Sequence, residues 1–218
     1  LQVLTTAREE SAKDRTRCVN ALTALLRRNA LGIDARRSLT NKQIKEISNW
    51  RSRQEPLALH TARAQAIRLA KRVTTLTEEL DSNHDQISAL VSISEAAPLL
   101  TQTGYGPITL AICLAAWSHP GRIRSEAAFA ALAGVNPIPA SSGNTTRHRL
   151  NRSGDRRLNS AIHTIATTRM TWDEETQNYT QRRLAEGKTK REIRRILKRY
   201  IARNIYRTLN AATTQNRA

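Results

Sequence analysis

A heptad pattern over residues 62–90 constrains the fold more than any other feature of the sequence. Apolar residues recur there at alternating spacings of four and three, with one asparagine among them: Ala62, Ala66, Leu69, Val73, Leu76, Leu80, Asn83, Ile87 and Leu90. This spacing places all of them on one face of an α-helix and is typical of a coiled coil. The heptad seam packs either on the first helix of the same chain or on a second copy, and both can hold at once. We expect a homo-oligomer through the seam, with Asn83 setting register or copy number.

The rest of the chain also has the periodicity of helices. Residues 2–28 predict one helix, Thr40 or Asn41 can cap a short second helix, and Pro98 is expected to end the long helix that carries the seam. Further helices are predicted near residues 107–117, 125–133, 155–170, 174–186 and 189–212. We therefore predict an all-α fold, in which a long helical hairpin or coiled coil (residues 1–95) precedes a compact multi-helix domain (residues 96–218).

The charge of the chain indicates its class of partner. It has 36 Lys and Arg against 18 Asp and Glu, a net charge of +18. Such an excess is self-repulsive unless a polyanion neutralises it, and nucleic acid is the usual polyanion. From residue 147 onward, 18 Lys and Arg stand against 6 Asp and Glu, so most of the excess lies in the last third.

Membrane and disulfide chemistry are not expected. No apolar run approaches the roughly 20 residues that span a bilayer, and no signal-peptide pattern is present, so we predict no membrane partner. Cys18 and Cys113 lie in apolar helical patterns and are expected to be reduced. The chain begins at Leu1 without a methionine, which predicts a fragment.

The first motif that could bind a ligand is Gly104-Tyr105-Gly106-Pro107, which lies between two apolar runs. Gly104 and Gly106 permit a tight turn and a close approach to a ligand, and the free N–H groups of the following helix start can hold a phosphate. The motif resembles a helix-hairpin-helix element, although Leu110 stands where that motif usually has a small residue. A plain corner between two helices is the alternative.

The second motif is the serine loop, residues 134–144, in which prolines and Gly143 exclude a helix and predict an exposed loop. It contains Ser141 and Ser142, the latter directly before Gly143. A loop serine beside glycine can act as a nucleophile, because glycine leaves it sterically open. An ordinary turn is the alternative, since Ser-Gly pairs are common in turns.

The third motif is the arginine-rich segment, residues 147–157, in which Asp155 is the one acid and can cap the next helix. Its five arginines predict paired contacts to phosphate oxygens: Arg147, Arg149, Arg152, Arg156 and Arg157. The last helix has an apolar stripe flanked by basic residues, and Lys188, Lys190 and Arg191 at its start are further candidates for phosphate contact. Trp172, Tyr179 and Tyr105 could stack on bases, with packing in the core as the alternative.

In this order, the three motifs resemble the carboxy-terminal domain of insertion-sequence transposases of the DEDD RuvC-like/serine family, also called bridge-RNA-guided recombinases. The family pattern is Gly-x-Gly-Pro, then Ala-Gly-x-x-Pro ending in Ser-Gly, then Lys-x-Gly before a helix, then Gly-Lys in a basic helix. Here these are residues 104–107, Ala133 to Pro137 with Ser142-Gly143, Arg152 to Gly154, and Gly187-Lys188. The resemblance covers about residues 96–212, and residues 1–95 fit the helical connecting region less distinctively.

The resemblance implies DNA transposition by a serine nucleophile. Ser142, or the adjacent Ser141, would attack a DNA phosphate, with Mg²⁺ held by acidic residues of an amino-terminal RuvC-like domain. It also implies DNA and a guide RNA as partners, assembly as a dimer or tetramer, and a bacterial cytoplasmic, nucleoid-associated location.

The departures from the family pattern limit what this chain is expected to do. None of the four acidic residues of the RuvC-like domain has a match here, so we expect no cofactor or metal bound by this chain alone. Arg152 replaces the family lysine, which keeps the charge but changes its geometry. We expect a chain that binds nucleic acid but does not recombine DNA by itself. The alternatives are a non-catalytic module that binds DNA or RNA backbone, such as a decayed transposase fragment, and an RNA-binding structural protein.

Overall fold

The computed structural model describes residues 1–141, 144 and 148–215, with side chains as far as residue 211. In order, its elements are α1 Gln2–Arg28, α2 Asn41–Ser48, α3 Leu57–Ser92, a 3₁₀ helix Ala97–Thr101, α4 Pro107–Trp117, α5 Glu126–Leu132, β1 Pro137–Pro139, β2 His148–Leu150, α6 Arg156–Trp172, α7 Glu174–Ala185 and α8 Lys190–Gln215. The predicted all-α class is confirmed, and the predicted helices lie within three residues of the observed ends, except at the end of α3.

Two local predictions are wrong. The long helix ends at Ser92, and Pro98 lies instead in the 3₁₀ helix. The serine loop was predicted as loop, but β1 lies within it and pairs antiparallel with β2, with Ile138 opposite Arg149. Proline lacks an N–H donor but is tolerated in a two-stranded ribbon, where each strand is an edge.

The chain forms two compact units that divide inside α3: Thr6–Asp85, and Gln86–Ala218 together with Leu1–Thr5. The domain boundary placed after residue 95 stays a prediction.

In the unit Thr6–Asp85, α1 and α3 run antiparallel. The Arg8 guanidinium donates to the Leu80 carbonyl at 2.7 Å, and Arg15 Nε donates to Thr77 Oγ1 at 2.8 Å. Leu22 and Leu26 of α1 share a core with heptad residues of α3, among which Ala62, Ala66 and Val73 are buried. This part of the seam is therefore covered by α1 of the same chain, and the intramolecular alternative is confirmed for it. Thr40 caps α2 as predicted.

The second unit has its own core. α4 is almost wholly apolar, and Trp117 of α4 is fully buried together with Phe129 of α5, Ile162 of α6 and Ile205 of α8. Cys113 is also buried, which raises the pKa of its thiol to about 12 and makes it unreactive. Both cysteines are free, as predicted. None of the helices that the structure describes is long and apolar enough to cross a bilayer.

Candidate nucleic-acid interface

Two glycine turns bring the arginine-rich segment against the base of the serine loop. Gly134 has φ +63°, and a Cβ there would lie 2.6 Å from the Ser153 carbonyl oxygen. Gly154 has φ +114°, and a Cβ there would lie 2.7 Å from the Leu132 carbonyl oxygen and 2.8 Å from the Gly134 nitrogen. Both the backbone conformation and the close approach require glycine. The two turns are therefore in direct backbone contact.

Hydrogen bonds reinforce this contact. The Asp155 N–H donates to the Leu132 carbonyl at 2.7 Å. The Asn151 side chain is buried, donates to Asn136 Oδ1 at 2.6 Å and accepts from the backbone N–H and hydroxyl of Ser153. Neighbours within the chain thus satisfy this buried amide. The turn that carries Arg152 is therefore held beside the start of β1 and the end of β2, which we call the foot of the ribbon.

The start of α6 is capped as predicted. Asp155 Oδ1 accepts from the backbone N–H groups of Arg157 and Leu158, at 2.8 and 2.9 Å. Leu158 is fully buried, whereas Arg152 and Arg156 are exposed. The carboxylate is therefore engaged by the helix start, and the two arginines face solvent.

The start of α8 supplies the opposite side of the site. Thr189 and Glu192 cap the helix reciprocally, because the Thr189 N–H and hydroxyl donate to Glu192 and the Glu192 N–H donates to Thr189. The apolar stripe is buried at Ile193, Leu197 and Ile201. The basic residues beside this stripe are left at the surface of the unit.

The arginine-rich turn, α6 and α8 line a cavity of about 510 Å³, which we call the cationic cavity. Six of its lining side chains are cations: Arg152, Arg156, Arg191, Arg194, Arg195 and Lys198. Among the described residues that line it, none is an aspartate or glutamate. Such a concentration of one sign of charge attracts anions and matches phosphate groups.

Lys198 stands on the wall of this cavity and connects it to the glycine turns. Its ammonium donates to Asn159 Oδ1 at 2.7 Å, and the Asn159 amide donates to the Ala133 carbonyl at 2.6 Å. Burial, and to a lesser extent the charge of Arg194, lower the pKa of Lys198. His163 lines the same cavity, and burial together with Lys198 and Arg194 lowers its pKa. In the free chain, the cavity therefore disfavours the protonated forms of Lys198 and His163, and a bound anion would favour them.

Farther along α8, the arginines are partly neutralised. Glu126 of α5 accepts from Arg203 Nε at 3.1 Å and from Arg207 Nε at 3.2 Å, and lies 3.8 Å from Arg199 Nη2. These three arginines thus share one carboxylate, whereas the cationic cavity has none in its lining. The uncompensated charge of α8 is concentrated at its amino-terminal half.

A second cavity, of about 680 Å³, adjoins the first and shares Leu150, Asn151, Arg195 and Lys198 with it. We call it the mixed cavity, because its lining is both apolar and cationic. Arg149 and Lys188 lie in this lining. Lys190 instead lines a third cavity, together with Arg194.

Most of the predicted arginines converge. Arg152, Arg156 and Arg191 meet at the cationic cavity, and Arg149 and Lys188 at its neighbour. Arg157 is half-buried on α6 and lines none of the three cavities.

Of the two candidate nucleophiles, the structure describes Ser141. Ser142 and Arg147 lie outside the described residues. Ser141 is exposed, in the connection between β1 and β2. The assignment of either serine as nucleophile stays a prediction.

The Gly104-Tyr105-Gly106-Pro107 turn lies elsewhere in the unit. A Cβ on Gly104 would lie 2.9 Å from Arg169 Cγ and 3.1 Å from the Ile165 carbonyl oxygen, so its glycine serves packing against α6. The Gly106 N–H donates to Thr109 Oγ1. The element before the turn is a five-residue 3₁₀ helix, so the helix-hairpin-helix resemblance is not confirmed. Neither glycine lines the three cavities, and their role in phosphate binding stays a prediction.

The sequence reasoning did not single out Asn159 and His163 as site residues. Each is an ordinary polar residue of an amphipathic helix, and neither belongs to a motif. One signal was available: His163 is seven residues after Arg156, two helical turns along the same face.

Comparison with known proteins identifies one family that part of the chain resembles. Residues 96–181 match the model of a family described as Transposase IS116/IS110/IS902. The matched segment includes the serine loop and the arginine-rich segment, and it ends before α8. No curated protein matches the chain. The family match supports an insertion-sequence transposase and, with it, DNA binding in DNA transposition.

Proposed function

Starting from the transposase match of residues 96–181, we propose that this chain binds the sugar-phosphate backbone of DNA in the cationic cavity and supplies a serine nucleophile for DNA recombination. One observation carries the proposal. Two glycine turns hold the arginine-rich turn against the foot of the ribbon whose connection contains Ser141 and Ser142. In this proposal, the phosphate site and the candidate nucleophile thus belong to neighbouring segments of the chain.

The cavity provides donors that lack acceptors. In the described part of the chain, Arg194 Nε is a buried nitrogen without a hydrogen-bond partner, and so is Arg199 Nη1 on the wall of the mixed cavity. Buried donors are normally satisfied, so these two guanidinium groups gain a missing acceptor if they turn toward an incoming anion. Phosphate oxygens fit because they accept paired hydrogen bonds from guanidinium groups.

In the proposed chemical step, the Ser142 oxygen forms a bond to phosphorus and one bridging P–O bond breaks. The displaced strand leaves as a free hydroxyl, and the serine proton balances the charge of that leaving oxygen. Cations beside the phosphate stabilise the negative charge of the transition state. Ser141 is the alternative nucleophile, because the two serines are adjacent.

The family resemblance also implies Mg²⁺, and the described residues do not fit it. They contain no group of three or more His, Cys, Asp or Glu side chains that could hold a metal ion. We therefore propose that the 218-residue chain binds DNA but does not join strands by itself. Strand joining by the purified chain with Mg²⁺ alone would contradict this.

A covalent adduct tests the nucleophile. A DNA substrate that traps the serine–phosphate intermediate is incubated with the chain, with and without an acidic RuvC-like segment of the family. The adduct is expected with Ser141→Ala and not with Ser142→Ala. The reverse result would make Ser141 the nucleophile, and an adduct that persists when both serines are replaced by alanine would remove the serine mechanism.

The salt dependence of binding tests the phosphate cavity. Arg191→Ala is expected to weaken DNA binding across sequences and to reduce the salt slope by about one phosphate contact. Arg207→Ala is a matched control on the same helix, because Arg207 is paired with Glu126 and lines no described cavity. A shallow slope for the unmodified chain, or equal losses in both variants, would contradict the proposal.

The alternative is a non-catalytic module that binds DNA or RNA by its backbone. It shares the cationic cavity and predicts the same salt slope, but no adduct under any condition. A guide RNA as second partner is likewise proposed from the family resemblance, and the excess positive charge is compatible with it.

A further inference from the structure

The mixed cavity differs in chemistry from the cationic cavity beside it. Five of its lining residues are apolar or aromatic: Val135, Pro137, Leu150, Ile196 and Tyr200. Leu150 is 52% exposed and Tyr200 49% exposed, although both belong to the most basic part of the chain. A ligand that covers them gains free energy by removing apolar surface from water.

The mixed cavity is also lined by basic residues. Its cationic lining residues are Arg149, Lys188, Arg195, Lys198 and Arg199. Among the described lining residues Glu192 is the one carboxylate, and Thr189 already engages it at the helix start. A ligand that fits must therefore be apolar in one part and anionic in another. A nucleotide has this combination.

Duplex DNA cannot offer both parts at this site. Its phosphates are on the outside, but its bases are paired and stacked in the interior, so a protein reaches a base face only when that base is unpaired. Arg195 and Lys198 form a wall common to both cavities. A strand can thus place a phosphate on one side of this wall and the adjoining base on the other.

The Tyr200 ring is positioned by contacts with two neighbouring side chains. Its ring meets Tyr179 edge-on, with centroids 6.4 Å apart and an interplanar angle of 83°. The Arg203 guanidinium lies 5.9 Å from the Tyr200 ring centre and donates to Glu126. A ring held in this way loses little conformational freedom when a ligand stacks on it.

We infer that the mixed cavity binds an unpaired nucleobase, stacked on Tyr200, of a strand whose phosphate lies in the cationic cavity. This inference rests on the proposed phosphate binding and extends it from duplex backbone to an unpaired nucleotide. Both DNA and RNA have the required chemistry.

The test compares two probes that differ in one base. Each is a duplex with a single unpaired nucleotide, which is a normal nucleotide in one probe and abasic in the other. The 218-residue chain is expected to bind the base-bearing probe about tenfold more tightly, within the range for one base stacked on an aromatic side chain. Because the unmodified chain is used, this result does not depend on the folding of any variant. Parallel DNA and RNA pairs identify which strand supplies the base.

Variants then locate the base. Tyr200→Ala should abolish the difference between the two probes, and Tyr200→Phe should keep it. Trp172→Ala should also keep it, because Trp172 is 75% exposed but lines none of the described cavities. Thermal melting of each variant checks that the fold is intact.

The outcomes separate this inference from the proposed function. Equal affinity for both probes, or a preference lost in Trp172→Ala but kept in Tyr200→Ala, overturns the inference. If duplex DNA still binds with a steep salt slope, the proposed function survives that result. If neither duplex DNA nor either probe binds, both fall.

Discussion

At the scale of single residues, the site depends on small groups whose neighbours fix their position. Gly134 and Gly154 have no side chains to contribute, yet their backbone contact sets where the arginines stand relative to the serine loop. Asn159 contributes no charge, but its amide links Lys198 to the Ala133 carbonyl. Substitution of these residues should act on the site through geometry.

Gly154→Ala tests this contact. The added Cβ would meet backbone atoms at 2.7 and 2.8 Å, in addition to the strain of a positive φ. We expect a loss of roughly 2–5 kcal/mol in unfolding free energy, from backbone strain and overpacking together, measured by urea denaturation. Gly121→Ala is the matched control, because Gly121 has φ +85° with nothing within 4 Å of its Cβ position, and only about 1–2 kcal/mol is expected. Equal losses would show that the close approach does not matter.

His163 should make nucleic-acid binding depend on pH. Burial and the charges of Lys198 and Arg194 lower its pKa below 6.5, so it is neutral at pH 7 in the free chain. A bound phosphate favours the imidazolium and raises that pKa, so the complex takes up protons and binding strengthens as the pH falls through the pKa of His163 in the complex. Each unit of increase in the pKa strengthens binding up to about tenfold.

This dependence is measured as the ratio of DNA affinities at pH 5.5 and 7.5. His163→Gln should reduce the ratio, whereas His119→Gln, at an exposed position outside the described cavities, should leave it unchanged. A ratio that is the same in the unmodified chain and His163→Gln would remove His163 from this role.

At the scale of elements, α6 and α8 each bury one face in the core and contribute another face to the site. Each buries an apolar stripe, with Ile162 of α6 and Ile193 of α8 fully buried, and each places basic residues at its amino-terminal end. Helix amino-termini carry partial positive charge and free N–H groups, which also favour anions. At these two starts, however, Asp155 caps α6 and the Thr189–Glu192 pair caps α8, so the attraction for an anion comes from the basic side chains.

Two substitutions of Asp155 separate its capping hydrogen bonds from its negative charge. Asp155→Ala should cost about 1 kcal/mol of unfolding free energy, because two N–H groups at the helix start lose their acceptor. Asp155→Asn keeps a capping oxygen and should keep most of the stability. Urea midpoints measure both. If Asp155→Asn loses as much as Asp155→Ala, the negative charge among the arginines is what stabilises, and the cap interpretation fails.

At the scale of the whole molecule, each compact unit has a core of its own. In Thr6–Asp85 the heptad residues nearest α1 are buried within the chain, whereas Leu90, at the other end of the seam, is 41% exposed. The assembly of several copies through the seam stays a prediction. Asn83, half-buried on α3, is the residue of the seam best suited to test it.

Asn83→Leu is expected to change the size or the thermal stability of the assembly, because a polar residue in a seam specifies register and copy number at some cost in stability. Light scattering gives the size and thermal melting the stability. Ser88→Ala on the same helix, away from the heptad positions, is the control. No change in either measurement would remove Asn83 from that role.

Helices and overall charge could be predicted from the sequence because they depend on neighbours in the chain. The 3.6-residue periodicity and the caps at Thr40 and Asp155 act within a few residues, so the predicted helices match except at the end of α3. The net charge of +18 is a property of composition alone. Together they indicated an all-α chain with a polyanionic partner.

The tertiary structure decided which residues meet. Arg191 and Arg207 lie on one helix and look alike in sequence, but Glu126, 81 residues before Arg207, pairs with Arg207, while Arg191 joins the cationic cavity. Gly104 and Gly154 are both motif glycines, yet the first packs against α6 and the second against the serine loop. Such differences arise from contacts between distant parts of the chain, which local periodicity does not encode. The pairing of Ile138 with Arg149 is decided in the same way.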